Sequence, residues 1–215
     1  MASRYGDQWR KFLEPWQGRG VGPRPHFFEV DFGLPAADGQ EPRAPLVLRA
    51  DGVEVRVSGR IDRVDLAELP GGVGFWVIDY KTGRSSHYTG PDLAEFRRLQ
   101  LTLYALAVEE VLLAGTGARP LGLAYWLVTE AGPKVVLPAR NQTLWLDEDG
   151  RWRAVREQLQ RWVLTLAGHI RQGAFPLRPR SDTCTQTCPF GQVCRITQAR
   201  SVEKDWHLPL PVVGG

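Results

Sequence analysis

GRIDRVD at residues 59–65, followed by VIDYKTG at residues 77–83, is the stretch whose reading decides the fold. VEVRVSGRIDRVDL (53–66) alternates apolar and polar residues and predicts one long strand. Val53, Val55, Val57, Gly59 and Ile61 fall on one face, whereas Asp62, Val64 and Leu66 fall on the other. The pattern therefore changes phase near Asp62, which predicts a bend or bulge, a feature that often marks a site. After the turn Pro70-Gly71-Gly72, GFWVIDYK (74–81) predicts a further strand with an apolar centre. Side chains repeat every second residue on a strand, so Asp79 and Lys81 point to the same side. If the two strands are neighbours, Asp62 approaches Asp79. Two close carboxylates repel unless a cation or proton lies between them. Hard oxygen ligands with open water positions suit Mg²⁺ or Mn²⁺. Such an ion polarises a phosphodiester and lowers the pKa of an attacking water. Lys81 can orient that water or stabilise charge on the phosphate. An arbitrary D-x-K is ordinarily a surface feature of a hairpin. Here the groups meet at the end of apolar strands, where charge is otherwise costly.

Working outward, DQWRKFLEPW (7–16) predicts a short helix capped by Asp7, with Trp9, Phe12, Leu13 and Trp16 at helical spacing. Residues 17–25 read as a loop and HFFEVDFG (26–33) as a strand, followed by a polar loop, PAADGQEPRAP. Residues 91–114 predict a helix, with Pro91 in its first turn and Asp92 and Glu95 at its positive end. LGLAYWLV (121–128) and PKVVLP (133–138) predict a hairpin. The segment 145–173 holds a long amphipathic helix, with Trp152, Val155, Leu159, Trp162, Val163, Leu166 and Ile170 as its buried stripe. Strands and helices in this order predict a mixed α/β sandwich.

The 215 residues are enough for one domain with a sizeable core, or for one domain with an appendage. The longest apolar stretch, LTLYALAVEEVLL, is broken by Glu109 and Glu110, which excludes a membrane span there. MASRYGDQWRKF lacks the apolar centre of a signal peptide, so a cytoplasmic location is expected. The net charge of +3 permits a nucleic-acid partner without demanding one. All three cysteines lie at Cys184, Cys188 and Cys194, an odd number in one short window. That argues against a disulfide framework and for a metal or cluster site in a reducing compartment.

Taken together, GRIDRVD, VIDYKTG and DLAEFRRLQLTLYALA (92–107) resemble the RecB-family branch of the PD-(D/E)XK nucleases. The resemblance implies a restriction-endonuclease-like α/β fold, a mixed sheet flanked by helices. It implies that Asp62 and Asp79 bind the metal ion, that the Tyr80 carbonyl is a further ligand, and that Lys81 is catalytic. The family's Q-x-x-x-Y pair falls on Gln100 and Tyr104, which share a helix face. EVDFG (29–33) resembles the E-x-x-F-G strand of AddB-like members, which implies that Glu29 lines the site.

GAFPLRPRSDTCTQTCPFGQVCR (173–195) resembles the C-terminal end of AddB-type nuclease domains. There, clustered cysteines are soft ligands for an iron–sulfur cluster or zinc. The resemblance implies that Cys184, Cys188 and Cys194 supply three of the four thiolates of a [4Fe–4S] cluster. In the family the fourth cysteine and a metal-binding His lie upstream of the nuclease core, so the chain reads as a fragment lacking that region. His26, His87 and His169 read as structural or solvated. Residues 1–180 are expected to form the nuclease core and 181–215 the cysteine segment and tail. The implied activity is metal-dependent hydrolysis of DNA, exonucleolytic on single-stranded ends, with a helicase domain or subunit as partner. Two other readings remain: a stand-alone exonuclease of the CRISPR-adaptation kind, and a DNA-binding structural module.

Overall fold

The computed structural model describes residue 10 and residues 22–35, 41–50, 52–69, 71–82, 98–128, 132–137 and 151–174. Apart from residue 10, the expected helix at 7–16 lies outside these residues, as do the start of the expected helix at 91, His87 and the cysteine segment. Contacts divide the chain into two compact units, Met1–Leu164 and Thr165–Gly215.

The first unit is built on a five-stranded mixed sheet. Its strands are β1 (Arg24–Phe32), β4 (Gly59–Leu69), β5 (Gly72–Lys81), β6 (Arg119–Leu127) and β7 (Gly132–Leu137), in the spatial order β1-β4-β5-β6-β7. All neighbours are antiparallel except β5 and β6, which are parallel. Parallel strands need a crossover. Here the crossover carries α1 (Gln100–Ala107) and a wider π-helical turn, Val108–Leu112. A second ribbon pairs β2 (Leu46–Ala50) with β3 (Val53–Val57). The mixed α/β class expected from the sequence is the class observed.

β5 runs through the middle of the sheet, and Phe75, Val77 and Ile78 are fully buried. Burying each such side chain stabilises the fold by about 1.5–3 kcal/mol. One face of the sheet carries a cluster of Ala67, Trp76, Ile78, Leu121, Ala124 and Trp126. On the other face α1 packs over β5 and β6, burying Leu101, Ala105 and Leu106.

Three expectations are corrected. VEVRVSGRIDRVDL is not one strand: it breaks at Ser58, and its halves enter different sheets. β2 lies in a segment with no strand expected, and its Leu46 and Leu48 are buried in the core. The bend or bulge expected near Asp62 is not a register shift: the β1–β4 pairing shifts between Pro25 and Phe27 and keeps one register across Asp62. The pairing skips Glu29 and Asp62, with Phe28 opposite Arg63 and Val30 opposite Ile61. Glu29 adopts a left-handed φ of 46°, which costs a residue with a Cβ about 1–2 kcal/mol.

The helix α2 (Arg151–Arg171) begins in the first unit. Its Trp152 Nε1 donates to Glu109 (3.0 Å), and Arg156 reaches both Glu109 and Glu110 on the π-helical turn. Trp152, Leu159 and Trp162 are buried as expected. In the second unit the helix ends in a Schellman motif. Gly173 has φ 69°, Ala174 N–H donates to the His169 carbonyl and Gly173 N–H to that of Ile170. Ile170, expected in the buried stripe, is 58% exposed one residue before that end. No helix among the described residues is long and apolar enough to cross a membrane.

Candidate active site

The β4–β5 ladder runs from Leu69 opposite Gly72 to Arg63 opposite Ile78. One further step in the same register sets Asp62 against Asp79. At that step the backbone N–H of Tyr80 donates to Asp62 Oδ2 at 2.7 Å, so a carboxylate takes the place of the next carbonyl. Asp62 is thereby fixed at the end of the ladder, beside the strand that carries Asp79 and Lys81.

Asp79 is only 1% exposed. Burial pushes its carboxyl above the ordinary range and the Asp62 charge pushes the same way, while Lys81 opposes both. A second cation near the pair would relieve this. Lys81 Nζ forms an ion pair with Asp79 Oδ2, and that buried oxygen has no hydrogen bond among the described residues. The same ammonium donates to Gln100 Oε1 at 3.0 Å and lies 5.8 Å from the centroid of the Tyr125 ring. Lysine can only donate, so the Gln100 amide must turn its oxygen toward it. Its nitrogen then faces, and donates to, the Tyr104 hydroxyl at 3.1 Å. Gln100 opens α1 and Tyr104 follows one turn later, which is why the two meet.

Tyr104 is seated from the far side. Its ring meets Phe32 edge to face, with centroids 6.1 Å apart. Gly59 leaves the space this needs, because a Cβ there would lie 3.2 Å from Phe32 and 3.3 Å from Tyr104. Asp62, Asp79, Lys81, Gln100 and Tyr104 are thus brought together, and the Tyr80 peptide lies between the two acids. Glu29 stands at the skipped pairing position opposite Asp62, with an exposed side chain. Cys184, Cys188 and Cys194 fall outside the described residues. His26 is exposed on β1, in edge contact with Phe27.

Sequence reasoning missed a group on the reverse face. Arg63 grips Asp65 through two bonds, Nε to Oδ1 at 2.6 Å and Nη2 to Oδ2 at 2.8 Å. Its Nη1 donates to the Tyr80 hydroxyl at 3.1 Å. The guanidinium lies 5.9 Å from the Phe28 ring centroid and 5.7 Å from that of Trp126. Burial pushes the Asp65 carboxyl up while the guanidinium pulls it down. The bonds to Asp65 and Tyr80 outweigh burial in Arg63 and hold it protonated. The available signal was two opposite charges, two residues apart, in a strand with partners on both edges.

The family model described as the PD-(D/E)XK nuclease superfamily matches residues 1–195. Among curated proteins, the chain is 28% identical to an ATP-dependent helicase/deoxyribonuclease subunit of Geobacillus thermodenitrificans, covering 85% of this chain and 20% of the relative. It is 33% identical to the protein of the same name from Desulforudis audaxviator, covering 73% of this chain and 14% of the relative. A third, from Pelotomaculum thermopropionicum, is 39% identical over 50% of this chain and 9% of its own length. The chain therefore spans a fifth or less of the length of these relatives.

Proposed function

The chain belongs to the PD-(D/E)XK nuclease superfamily, and on that premise we propose that it is a deoxyribonuclease that uses Mg²⁺ or Mn²⁺ to hydrolyse phosphodiester bonds at Asp62, Asp79 and Lys81. The observation that carries this reading is the meeting of two carboxylates and one ammonium at the open end of the β4–β5 ladder. The donor set fits a hard cation. It offers Asp62, the buried Oδ2 of Asp79 and the carbonyl of Tyr80, all oxygens. Among the described residues no three His, Cys, Asp or Glu side chains cluster, and the reading takes its third donor from the Tyr80 carbonyl that the family resemblance implies.

A divalent ion held there would supply Lewis-acid polarisation of the phosphoryl oxygen and a more acidic water. The protein's own groups do the rest. Tyr80 N–H fixes the Asp62 carboxylate. Lys81 places an ammonium where charge develops on the phosphate. Gln100 holds that ammonium, and Tyr104, seated on Phe32 and Gly59, holds Gln100. Glu29, opposite Asp62, borders the same site.

The relatives are named as helicase/deoxyribonuclease subunits, which supports a wider setting: the nuclease part of an AddB-like helicase–nuclease subunit. It would act exonucleolytically on single-stranded ends delivered by a helicase domain or subunit during double-strand break repair. Cys184, Cys188 and Cys194 would then provide three thiolates of a [4Fe–4S] cluster.

The test uses end-labelled single- and double-stranded DNA with Mn²⁺ or Mg²⁺. The wild-type chain should cleave. Lys81→Ala should cleave about 10²–10³ times more slowly, the usual cost of removing one preorganised charge-stabilising donor. A well-folded wild-type chain that binds DNA without cutting it would overturn the reading in favour of a structural module.

A further inference from the structure

The reverse face of the catalytic strands holds a buried ion pair that the proposed reaction does not use. Arg63 and Asp65 side chains are 8% and 0% exposed. Such a pair contributes little net stability, because taking both charges out of water costs about as much as their attraction returns. Its geometry points elsewhere. Asp65 holds the guanidinium at two points, the Phe28 and Trp126 rings lie on it, and a third bond crosses from β4 to β5 and ends on the Tyr80 hydroxyl. Tyr80 is half-exposed, sits next to the end of β5, and its ring meets Trp126 on the neighbouring strand, at 6.0 Å between centroids. The hydroxyl bond is therefore a side-chain tie between β4 and β5 just beyond Arg63↔Ile78, the last rung of the ladder.

What that tie holds is the peptide on the other side. The Tyr80 N–H fixes Asp62 at 2.7 Å, and its carbonyl is the third oxygen of the proposed metal site. We infer that Arg63, locked by Asp65, is a positioning residue that sets the divalent-metal site from the reverse face of the sheet through the side chain of Tyr80. The inference rests on the metal reading above. It adds that affinity for the ion depends on a bond made away from the metal, by the side chain of Tyr80 rather than by its carbonyl.

The experiment is calorimetric titration of Mn²⁺ into the full chain, with melting curves recorded alongside. Tyr80→Phe removes only the hydroxyl. Outer groups that orient metal ligands typically contribute about 10- to 100-fold to affinity, and the expected loss here is about tenfold with the melting temperature little changed. Arg63→Met alone would strand a buried carboxylate and could unfold the chain. The pair is therefore exchanged together, as Arg63→Met with Asp65→Leu, which keeps the volume apolar. That double variant should lose affinity to the same extent, and adding Tyr80→Phe to it should cost nothing more, because one tie cannot be cut twice. Wild-type binding in the same titration tests the metal reading on its own. A wild-type chain that takes up no Mn²⁺ overturns both. A wild-type chain that binds while Tyr80→Phe matches it within about twofold, or losses that add, overturns the positioning role alone.

Discussion

Gly122→Ala puts a methyl group where the fold has left no room. Gly122 sits on β6 in register with Trp76 of β5, where the register of the parallel pair shifts. A Cβ at Gly122 would lie 2.2 Å from Trp76 Cζ3, 2.3 Å from Cη2 and 2.6 Å from Cε3. Carbon atoms in contact sit about 3.5–4.0 Å apart, so the indole would have to withdraw by about 1.3 Å. Trp76 is 4% exposed among Ala67, Ile78, Leu121, Ala124 and Trp126, and a buried ring has no free space to enter. Overpacking of this kind costs about 1–3 kcal/mol. Replacing glycine stiffens the unfolded chain and offsets about 0.4–1 kcal/mol of that, because the φ at Gly122 is not left-handed. The net expectation is about 1–2 kcal/mol lost. At about 2–4 °C per kcal/mol for a chain of this size, thermal melting should fall by about 2–8 °C. Differential scanning calorimetry measures it. Trp76→Phe makes room, so the double variant should lose less than the sum of the two single losses. A Gly122→Ala chain that melts at or above the wild-type temperature would refute the packing described for this junction.

Tyr104→Phe keeps the ring on Phe32 and removes the oxygen that Gln100 donates to. Cleavage should fall about tenfold, one hydrogen bond's worth at about 1.4 kcal/mol, with melting unchanged, and equal rates would remove Tyr104 from the site. Burial pushes the Glu110 carboxyl up, Arg156 pulls it down and Glu109 adds to the rise. A carboxyl raised on folding loses stability as pH rises through its folded pKa. Glu110→Gln should therefore melt higher than wild type at neutral pH, with the gap closing as pH falls below that pKa; a gap that widens toward acid pH would contradict the assignment. Aerobically purified chain should carry well under the roughly four irons of a cubane cluster, because it offers three cysteines. A full air-stable complement by iron and sulfide analysis would mean that another residue or a second chain completes the site.

Part of the candidate site's geometry was legible because its logic is short-range. Strand alternation placed Asp79 and Lys81 on one face, while Gln100 and Tyr104 were singled out by the family resemblance and helical spacing added only that they share a face. What those rules could not supply was depth and company. Arg63 and Asp65 look like the solvated face of an alternating strand, yet β4 has β1 on one edge and β5 on the other, and both residues are buried. The break at Ser58 was invisible because alternation runs straight through it, while the change of sheet depends on β2, a five-residue strand whose Arg49 interrupts its apolar run. The π-helical turn at Val108–Leu112 is too short to disturb a periodicity, and its consequence, two successive glutamates reaching Arg156, depends on a helix more than thirty residues later. The change of phase at Asp62 predicted a bulge there, but the β1–β4 register is the same on both sides of Asp62 and the shift lies between Pro25 and Phe27, which no pattern in β4 could show.

Everything proposed for this site requires Asp62 and Asp79 together to hold a divalent cation. Isothermal titration with Mn²⁺ measures this directly, on the wild-type chain and on Asp79→Ala. The expected result is saturable binding by the wild type that is abolished in Asp79→Ala while the variant remains folded by its melting curve. Equal binding by the two would contradict it.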